Sequence, residues 1–397
     1  MRSRLKLLVS CGQGLEPACV QEISTLFPAL QATPGYGRRS GFVEVNSTDE
    51  ATFFEDVAGV PSSIHCQEKI YVAVHEKEMQ WHLFTTKDIL ERKLEDFFDE
   101  TFKKLANPVL NGKLAGMVNP SETSITCVEI ATLLPKALAE RHLTQSQLQA
   151  IGNRKAKSRG IEMILKQKDV PRLLVRAFGD ILVALLQLPV RPGNLPLTKV
   201  HPTGLFPSFA FAMLQEAFEL LSVSQVWQRG EAVHVVDPMC GAGTIPLMAW
   251  TAREYLGQMV DVEPGSLLVS GIDTDEVFLA MATENASALG AGESVSFMSS
   301  DFSPVNLDSP ADAIVCQPPY GYSIAIPDAS LESMHADLFD WAARNTRAGG
   351  VIIVISPRKD IISRVVQQDT WLLVRSSRVR QHSLECKIYA YRRLDTP

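Results

Sequence analysis

The chain has 397 residues, enough for two or three domains at about 150 residues each and for a full hydrophobic core. Hydrophobic residues make up 46% and charged residues 21%, a balance that excludes collagen-like, coiled-coil and largely disordered proteins. The longest apolar stretch, residues 181–190, is interrupted by Gln187 and Pro189 and is much shorter than the ~20 residues of a membrane span. We therefore expect a soluble protein.

The N-terminus and the cysteines indicate the cellular compartment. Arg2, Arg4 and Lys6 precede an apolar run that ends at Ser10, which predicts a first strand rather than a secretion signal. The seven cysteines are odd in number and scattered, with no CxxC pair and no histidine at metal-binding spacing. This pattern predicts a reducing compartment, no disulfide framework and no metal site. We expect a cytoplasmic location, with the nucleus as the alternative.

The N-terminal half is predicted to be α+β. A strand at residues 5–10, a helix at 15–27 and a strand at 41–45 indicate a small unit ending near residue 70. A second unit follows, with a strand at 124–129 and a hairpin at 172–188 that turns at 178–180. The segment 191–197 contains two prolines and a glycine, which predicts a linker.

The C-terminal half alternates between strand and helix patterns. The predicted strands are 232–237, 267–273, 294–298, 311–316 and 351–356, with late strands at 371–374 and 384–391. The predicted helices are 244–256, a stretch from 277 to 288, and 331–346. This alternation predicts a parallel sheet covered by helices on both faces.

A glycine-containing loop, Asp237-Pro-Met-Cys-Gly-Ala-Gly-Thr244, joins the first of these strands to its helix. Glycines at such a turn let the backbone approach a ligand, and the helix N-terminus favours anionic groups. The loop lacks the third glycine of GxGxxG, so a dinucleotide is disfavoured. The alternative is a glycine turn kept only for packing.

Acidic residues follow the next two strands. Asp273 can accept hydrogen bonds from two ribose hydroxyls, and Asp301 in Ser299-Ser-Asp-Phe302 could meet an adenine amino group. Each alone is more often a helix cap or a solvated turn residue than a ligand contact. Their joint position at the ligand-binding edge of a parallel sheet favours a nucleoside cofactor.

Gln317-Pro-Pro-Tyr-Gly321 follows the fourth strand at the same edge. Consecutive prolines stiffen the backbone, and the Gln317 oxygen with a neighbouring carbonyl can accept both hydrogens of an exocyclic amine. Tyr320 can stack on a planar base. The alternative is a proline loop with a packing tyrosine.

These residues resemble the S-adenosylmethionine-dependent methyltransferases of the class I, Rossmann-like fold. More closely, DPMCGAGTIPLMAW at 237–250 looks like the first motif of the THUMP-domain RNA guanine-N2 methyltransferases, and QPPYG at 317–321 looks like their fourth motif. Residues 7–16, 202–214 and 383–391 also resemble segments of that family. The resemblance therefore spans most of the chain.

The resemblance implies an α/β architecture in four parts. These are a small ferredoxin-like α+β domain at 1–69, a divergent THUMP-like RNA-binding domain at 70–190, a linker at 191–200 and a methyltransferase domain at 201–397. The last would hold a mostly parallel seven-stranded sheet whose last strand is antiparallel.

The resemblance also implies S-adenosylmethionine as cofactor and assigns residues to the site. The implied cofactor-binding residues are Asp237, Pro238, Cys240, Gly241, Gly243, Thr244, Asp273, Asp301 and Phe302. The implied catalytic residues are Gln317, Pro318, Pro319 and Tyr320. Gln317 departs from the family pattern, in which Asp, Asn or Ser precedes the prolines, so altered or absent activity stays open.

Charge indicates where RNA would bind. The formal net charge is −7, yet residues 136–176 contain ten basic and only three acidic side chains. A solvated helix face explains such a run as well as phosphate contacts do. With the resemblance, phosphate contacts are favoured, and the candidates are Arg141, Arg154, Lys155, Lys157 and Arg159.

The implied function is methyl transfer to the exocyclic N2 amine of a guanosine, with tRNA as the favoured RNA. An amine methyltransferase acting on adenine, ribosomal RNA or a spliceosomal small nuclear RNA is one alternative. A catalytically silent RNA-binding homologue is the other. For a eukaryotic source, the resemblance further implies a small zinc-binding activator subunit at an edge of the methyltransferase sheet.

Overall fold

The computed structural model describes most of the chain. The described residues are 5–36, 39–47, 52–78, 96–97, 99–101, 103–118, 129–130, 133–134, 161–162, 172–178, 181–188, 190, 192–200, 204–223, 232–322, 326–381 and 383–394. They group into two compact units. The first comprises Met1–Cys11, Val20–Ile64 and Glu68–Val190, and the second comprises Gly12–Cys19, His65–Gln67 and Arg191–Pro397.

Seven strands of the first unit form one sheet in the order β2-β3-β1-β4-β9-β8-β5. They are β1 (Lys6–Ser10), β2 (Leu30–Tyr36), β3 (Arg39–Ser47), β4 (Lys69–Glu78), β5 (Glu129–Ile130), β8 (Arg172–Phe178) and β9 (Ile181–Gln187). A separate pair consists of β6 (Leu133–Leu134) and β7 (Ile161–Glu162). The helices with described bounds are Glu16–Leu26, Phe53–Val57, Val60–Ser63 and Pro108–Val118.

The first strand, the first helix and the late hairpin are confirmed. Val175 on β8 lies opposite Ala184 on β9 in an antiparallel pair. Strand β2 was not predicted, because Pro34 and Gly35 indicate a turn, and β4 was not predicted either. Residues 124–128 of a predicted strand, and 179–180 of the hairpin turn, lie outside the described residues.

The sheet of the first unit is continuous across the domain border expected at residues 69–70. Strand β4 begins at Lys69 and pairs with β1 on one side and with β9 on the other. The ferredoxin-like and THUMP-like domains at 1–69 and 70–190 therefore stay predictions.

The second unit contains a seven-stranded sheet in the order β12-β11-β10-β13-β14-β16-β15. Its strands are β10 (Val233–Asp237), β11 (Leu267–Asp273), β12 (Val295–Ser299), β13 (Ala311–Cys316), β14 (Thr346–Ser356), β15 (Trp371–Gln381) and β16 (Leu384–Arg393). Neighbouring strands from β12 to β14 are parallel, whereas β16 is antiparallel to both β14 and β15. This confirms the predicted Rossmann-like sheet with an antiparallel last strand.

Helices cover this sheet, and most were predicted. They are Pro207–Ser222, Thr244–Thr251, Arg253–Val260, Glu276–Leu289, Asp328–Asn345 and Lys359–Val365. The predicted helix 244–256 is two helices that meet at Ala252. Helix Pro207–Ser222 was not predicted, because residues 207–214 are a nearly continuous apolar run in which no period is visible; Glu216, Glu219 and Ser222 form its less buried side only in the second half. Among the described helices, none is long and apolar enough to cross a membrane.

Asn285 fixes the segment before the seven-stranded sheet of the second unit to the glycine loop. Its Oδ1 accepts the backbone N–H groups of Thr198 (3.0 Å) and Lys199 (2.9 Å). Its Nδ2 donates to the carbonyl oxygens of Lys199 (2.9 Å) and Ala242 (3.3 Å). Asn285 is fully buried, so no water can replace these bonds.

Replacing Asn285 with Ala should therefore destabilise the second unit by about 2–4 kcal/mol, because buried backbone groups lose their partners. Urea unfolding followed by tryptophan fluorescence measures this. The control is Glu284→Ala, which removes an exposed ion pair with the same Lys199 and should cost less than about 0.5 kcal/mol. Equal losses for the two variants would contradict the structural role of Asn285.

Candidate active site

The glycine loop begins where β10 ends at Asp237. Gly243 has φ +84°, and a Cβ there would approach the Cβ of Ala282 to 3.0 Å, so only glycine lets helix Glu276–Leu289 pack against the loop. Gly241 has φ +51°, but a Cβ there would meet nothing within 4 Å. The backbone at Gly241 therefore borders open space into which a ligand can enter.

Asp273, at the end of β11, fixes the shape of this loop. Its Oδ2 accepts the N–H of Gly241 at 2.8 Å, and its Oδ1 accepts the N–H of Asp275 at 2.9 Å. Each carboxylate oxygen keeps a further lone pair for a hydroxyl donor. The acidic residue and the glycine loop, which are 32 residues apart in sequence, thus form one structure.

Asp237 is the buried acid of the site, with 2% of its surface exposed. Its Oδ1 accepts the N–H of Met239 at 3.1 Å. Burial raises the pKa of Asp237 well above its usual range, and the nearby charge of Asp273 raises it further. A cationic group at this edge would lower the cost of holding two carboxyl groups together.

Asp301 and Phe302 follow β12 and differ in exposure. Asp301 is exposed, and its Oδ1 accepts hydrogen bonds from the N–H (2.8 Å) and the hydroxyl (2.7 Å) of Ser303, which lower its pKa. Phe302 is buried, and its ring packs edge-on against Trp341 with 5.8 Å between centroids. The Phe302 ring therefore belongs to the core, whereas the Asp301 carboxylate faces solvent.

The Gln317-Pro-Pro-Tyr segment follows β13 directly. Gln317 and Tyr320 are half-buried, Pro318 is buried and Pro319 is exposed. The Tyr320 hydroxyl donates to Oε1 of Gln381 at 3.0 Å. Burial raises the pKa of Tyr320 well above its usual range, so the phenol stays neutral at physiological pH.

Sheet order brings these segments together. Strands β12, β11, β10 and β13 are neighbours and parallel, so their carboxyl ends share one edge. That edge holds Asp301, Asp273, Asp237 and Gln317. Open parallel sheets bind ligands at this edge, so the residues present fit a nucleoside cofactor.

The thiols near the site are poor nucleophiles. Burial raises the pKa of both Cys240 and Cys316, which keeps them protonated. The six cysteines among the described residues are all buried, and Cys127 lies outside that part of the chain. Within the described residues, no group of three or more His, Cys, Asp or Glu side chains could hold a metal ion.

Two buried polar residues near the site were not predicted from the sequence, and five predicted residues lie outside the described part of the structure. Asn285 and Gln381 were missed. Both are buried polar residues, but Gln381 follows the mostly polar run 375–380 of β15, so nothing in the sequence distinguishes it. The predicted RNA contacts lie outside the described residues; they are Arg141, Arg154, Lys155, Lys157 and Arg159.

Comparison with solved structures shows the fold over nearly the whole chain. TrmN from Thermus thermophilus has a TM-score of 0.66 and 21% identity, covering 98% of this chain and all of that one. The SMU.472 protein, whose structure was solved in complex with SAH, has a TM-score of 0.64 and 12% identity over the full length of both chains.

Two sequence comparisons match parts of the chain. A tRNA (guanine(10)-N2)-dimethyltransferase from Methanothermobacter thermautotrophicus is 28% identical over 123 residues, which cover 31% of this chain and about a third of that protein. The model of the RMKL-like methyltransferase domain family matches residues 199–387. Residues 199–387, just under half of the chain, are therefore similar to the RMKL-like methyltransferase domain family.

Proposed function

We propose that this protein transfers a methyl group from S-adenosylmethionine to the exocyclic N2 amine of a guanosine in RNA, with tRNA as the favoured substrate. The single observation that carries the proposal is the shared edge of β10, β11, β12 and β13, where the glycine loop and Gln317-Pro-Pro-Tyr meet. The choice of guanine in tRNA is supported by the similarity to the tRNA (guanine(10)-N2)-dimethyltransferase from Methanothermobacter thermautotrophicus.

The cofactor-binding residues would act through the loop geometry. S-adenosylmethionine supplies an electrophilic methyl group on a sulfonium. The open space beside Gly241 admits its bulk, and the unused lone pairs of Asp273 would accept the ribose hydroxyls. Asp301 would accept a hydrogen bond from the adenine amine. The proposed set is completed by Asp237, Pro238, Cys240, Gly243 and Thr244, with Phe302 supporting Asp301 from the core.

The catalytic residues would act by alignment. The Gln317 oxygen and the carbonyl of Pro318 would each accept a hydrogen of the guanine amine, which aims its lone pair at the methyl group. The rigid Pro318-Pro319 backbone would hold this geometry, and Tyr320 would fix the plane of the base. The leaving thioether is neutral, so no general acid is required, in accord with the neutral phenol and thiols around the site.

Two sets of basic residues would bind RNA. One is the predicted set Arg141, Arg154, Lys155, Lys157 and Arg159. The other lines a groove in the first unit, where Lys103, Lys104 and Lys113 lie around Phe54, with the Lys113 ammonium 5.3 Å from the Phe54 ring centroid. Such contacts position RNA through its phosphates without reading its sequence.

A zinc-binding activator subunit and a cytoplasmic or nuclear location remain proposals that rest on the family resemblance. The edge strand β15 offers a surface for such a subunit. Leu372, Leu373 and Val374 are exposed there by 51%, 49% and 39%, and an open edge with apolar side chains favours a protein partner.

Replacing Asp273 with Ala should weaken binding of S-adenosylhomocysteine by about 10- to 100-fold, because two hydrogen bonds to a charged group are lost. Isothermal titration calorimetry measures the affinity. The matched control is Asp275→Ala, which removes the cap of helix Glu276–Leu289 without touching the ribose position and should change affinity less than twofold. Unchanged affinity in Asp273→Ala would refute this assignment.

Methyl transfer to transcribed tRNA should depend on the guanine amine itself. Transcripts in which inosine replaces guanosine lack the N2 amine and should accept no label from labelled S-adenosylmethionine, whereas normal transcripts should accept it. The assay is run with and without a candidate activator subunit. Equal labelling of both transcripts would exclude guanine N2. No labelling of either, with S-adenosylhomocysteine still bound, would favour a silent RNA-binding homologue.

The basic stretch should control the salt dependence of RNA affinity. Replacing Arg154, Lys155, Lys157 and Arg159 together with Gln should lower the slope of log affinity against log salt by about three, because each phosphate contact contributes about 0.7. Filter binding over a range of salt concentrations measures the slope. An unchanged slope would assign these residues to a solvated surface.

A further inference from the structure

Three basic side chains form a cluster on the β15–β16 hairpin of the second unit. They are Arg378, Arg380 and Lys387, and we call them the hairpin cluster. Arg378 and Arg380 are exposed, and Lys387 is half-buried. Arg378 lies directly opposite Lys387 in the antiparallel pair, and Arg380 is two positions further along β15. Because side chains alternate between the faces of a strand, all three project from the same face of the sheet.

That face is the one on which helix Asp328–Asn345 packs. Tyr389, two positions after Lys387 on β16, shares the face and belongs to a core cluster with Phe339 of that helix. The Lys387 ammonium is 6.0 Å from the Tyr389 ring centroid. The core of this face therefore ends near Tyr389, and the two arginines beyond it are open to solvent.

The hairpin cluster has no acidic partner among the residues that the structure describes. Glu385 is exposed and lies opposite Arg380, but no described carboxylate forms an ion pair with any of the three basic side chains. Like charges directly opposite each other on a sheet destabilise it, and Arg378 and Lys387 are such a pair. A bound anion would remove this repulsion.

The absence of partners distinguishes this cluster from the rest of the unit. Arg375 is on the same strand but faces the other side of the sheet, where its guanidinium pairs with Glu216 at 3.0 Å and Glu219 at 2.9 Å. Every other described arginine of the second unit likewise pairs with a carboxylate or donates to a backbone carbonyl oxygen. Within the described residues of this unit, only Arg378 and Arg380 have guanidinium groups without such a partner.

The hairpin cluster lies at the same edge of the sheet as the fourth motif. Lys387 is opposite Ser356, the last residue of β14, and β14 runs parallel to β13, which the fourth motif follows. A side-chain contact joins the two places directly. The Tyr320 hydroxyl donates to Oε1 of Gln381 at 3.0 Å, and Gln381 is the residue after Arg380. An anion on this cluster would therefore lie close to a base held by Tyr320.

We propose that the hairpin cluster binds phosphates of the RNA next to the target nucleotide. The inference rests on the proposed function, and it adds a third set of RNA contacts, in the second unit rather than the first. Neighbouring cations on one exposed face fit the repeated charges of an RNA strand, and the planar guanidinium fits phosphate oxygens through paired hydrogen bonds. Such contacts would position the strand while the fourth motif holds the base.

The salt dependence of RNA affinity tests the proposal. Replacing Arg378, Arg380 and Lys387 together with Gln should lower the slope of log affinity against log salt by about two, because each phosphate contact contributes about 0.7. Filter binding of transcribed tRNA to the full chain over a range of salt concentrations measures the slope. An unchanged slope would overturn the proposal.

Arg375 offers a matched control on the same strand. Arg375→Gln removes one positive charge, as Arg378→Gln does, but from a guanidinium that faces helix Pro207–Ser222 and is already paired. Arg378→Gln should lower the slope by about 0.7, whereas Arg375→Gln should leave it unchanged. Equal reductions for the two variants would mean that only net charge matters, and would refute a site at the hairpin cluster.

Unfolding in urea tests whether Arg378 has a structural role instead. Arg378→Gln removes one member of a like-charge pair, so its unfolding midpoint should equal or exceed that of the wild type. Arg375→Gln breaks two ion pairs and should lower the midpoint slightly. A clearly lower midpoint for Arg378→Gln would assign that residue to the fold rather than to RNA.

Photo-cross-linking tests the position of the cluster relative to the target nucleotide. The amino acid p-benzoylphenylalanine replaces Arg380 in one variant and Tyr320 in another, and the cross-linked nucleotides of transcribed tRNA are mapped by primer extension. Both variants should mark the same region of the RNA, since three strand spacings, about 14 Å, separate β13 from β15. Cross-links to Tyr320 alone, or to distant regions, would contradict the proposal.

These binding measurements do not depend on methyl transfer, so the two proposals can fail separately. If the protein methylates no RNA but the slope falls and the cross-links coincide, the proposed function fails and the hairpin cluster stands as an RNA-binding surface. If N2-methylguanosine forms but the slope of the triple variant is unchanged, the proposed function stands and the hairpin cluster is refuted.

Discussion

The hydrogen bond from the Gly241 N–H to the Asp273 carboxylate is the contact on which the site depends. It joins the turn after β10 to the end of β11 at 2.8 Å. A glycine loop has little conformational preference of its own, so an external acceptor must fix it. Asn285 supports the same loop at Ala242 from the following helix. The backbone at Gly241 is therefore held in a fixed conformation beside the open space.

The parallel sheet supplies the second constraint. Its strands are continuous apolar runs; in β14, for example, residues 351–355 are all fully buried. This buried sheet holds the carboxyl ends of β10, β11, β12 and β13 in register. The proposed reaction needs few chemically active groups at this edge. Methyl transfer from a sulfonium requires alignment and exclusion of water more than acid or base catalysis. Burial raises the pKa values of Tyr320, Cys240 and Cys316, which keeps the phenol and the two thiols neutral.

Much of the C-terminal fold was predictable because its signals are local. Strands 267–273 and 311–316 were predicted with the bounds that the structure has, since each is a short apolar run ended by a turn or a polar residue. Helix Pro207–Ser222 was not, because its first half, residues 207–214, is a nearly continuous apolar run in which no period is visible. Gln381 could not be linked to Tyr320 from sequence, since 61 residues separate them and only the antiparallel strands bring them together.

Nucleoside analysis of methylated RNA tests the central claim most directly. Transcribed tRNA is incubated with the protein, its activator candidate and labelled S-adenosylmethionine, then digested to nucleosides and separated by chromatography with mass detection. If the protein methylates guanine N2, the label is found in N2-methylguanosine. Label in a methylated adenosine, or none in any nucleoside while S-adenosylhomocysteine still binds, would contradict it.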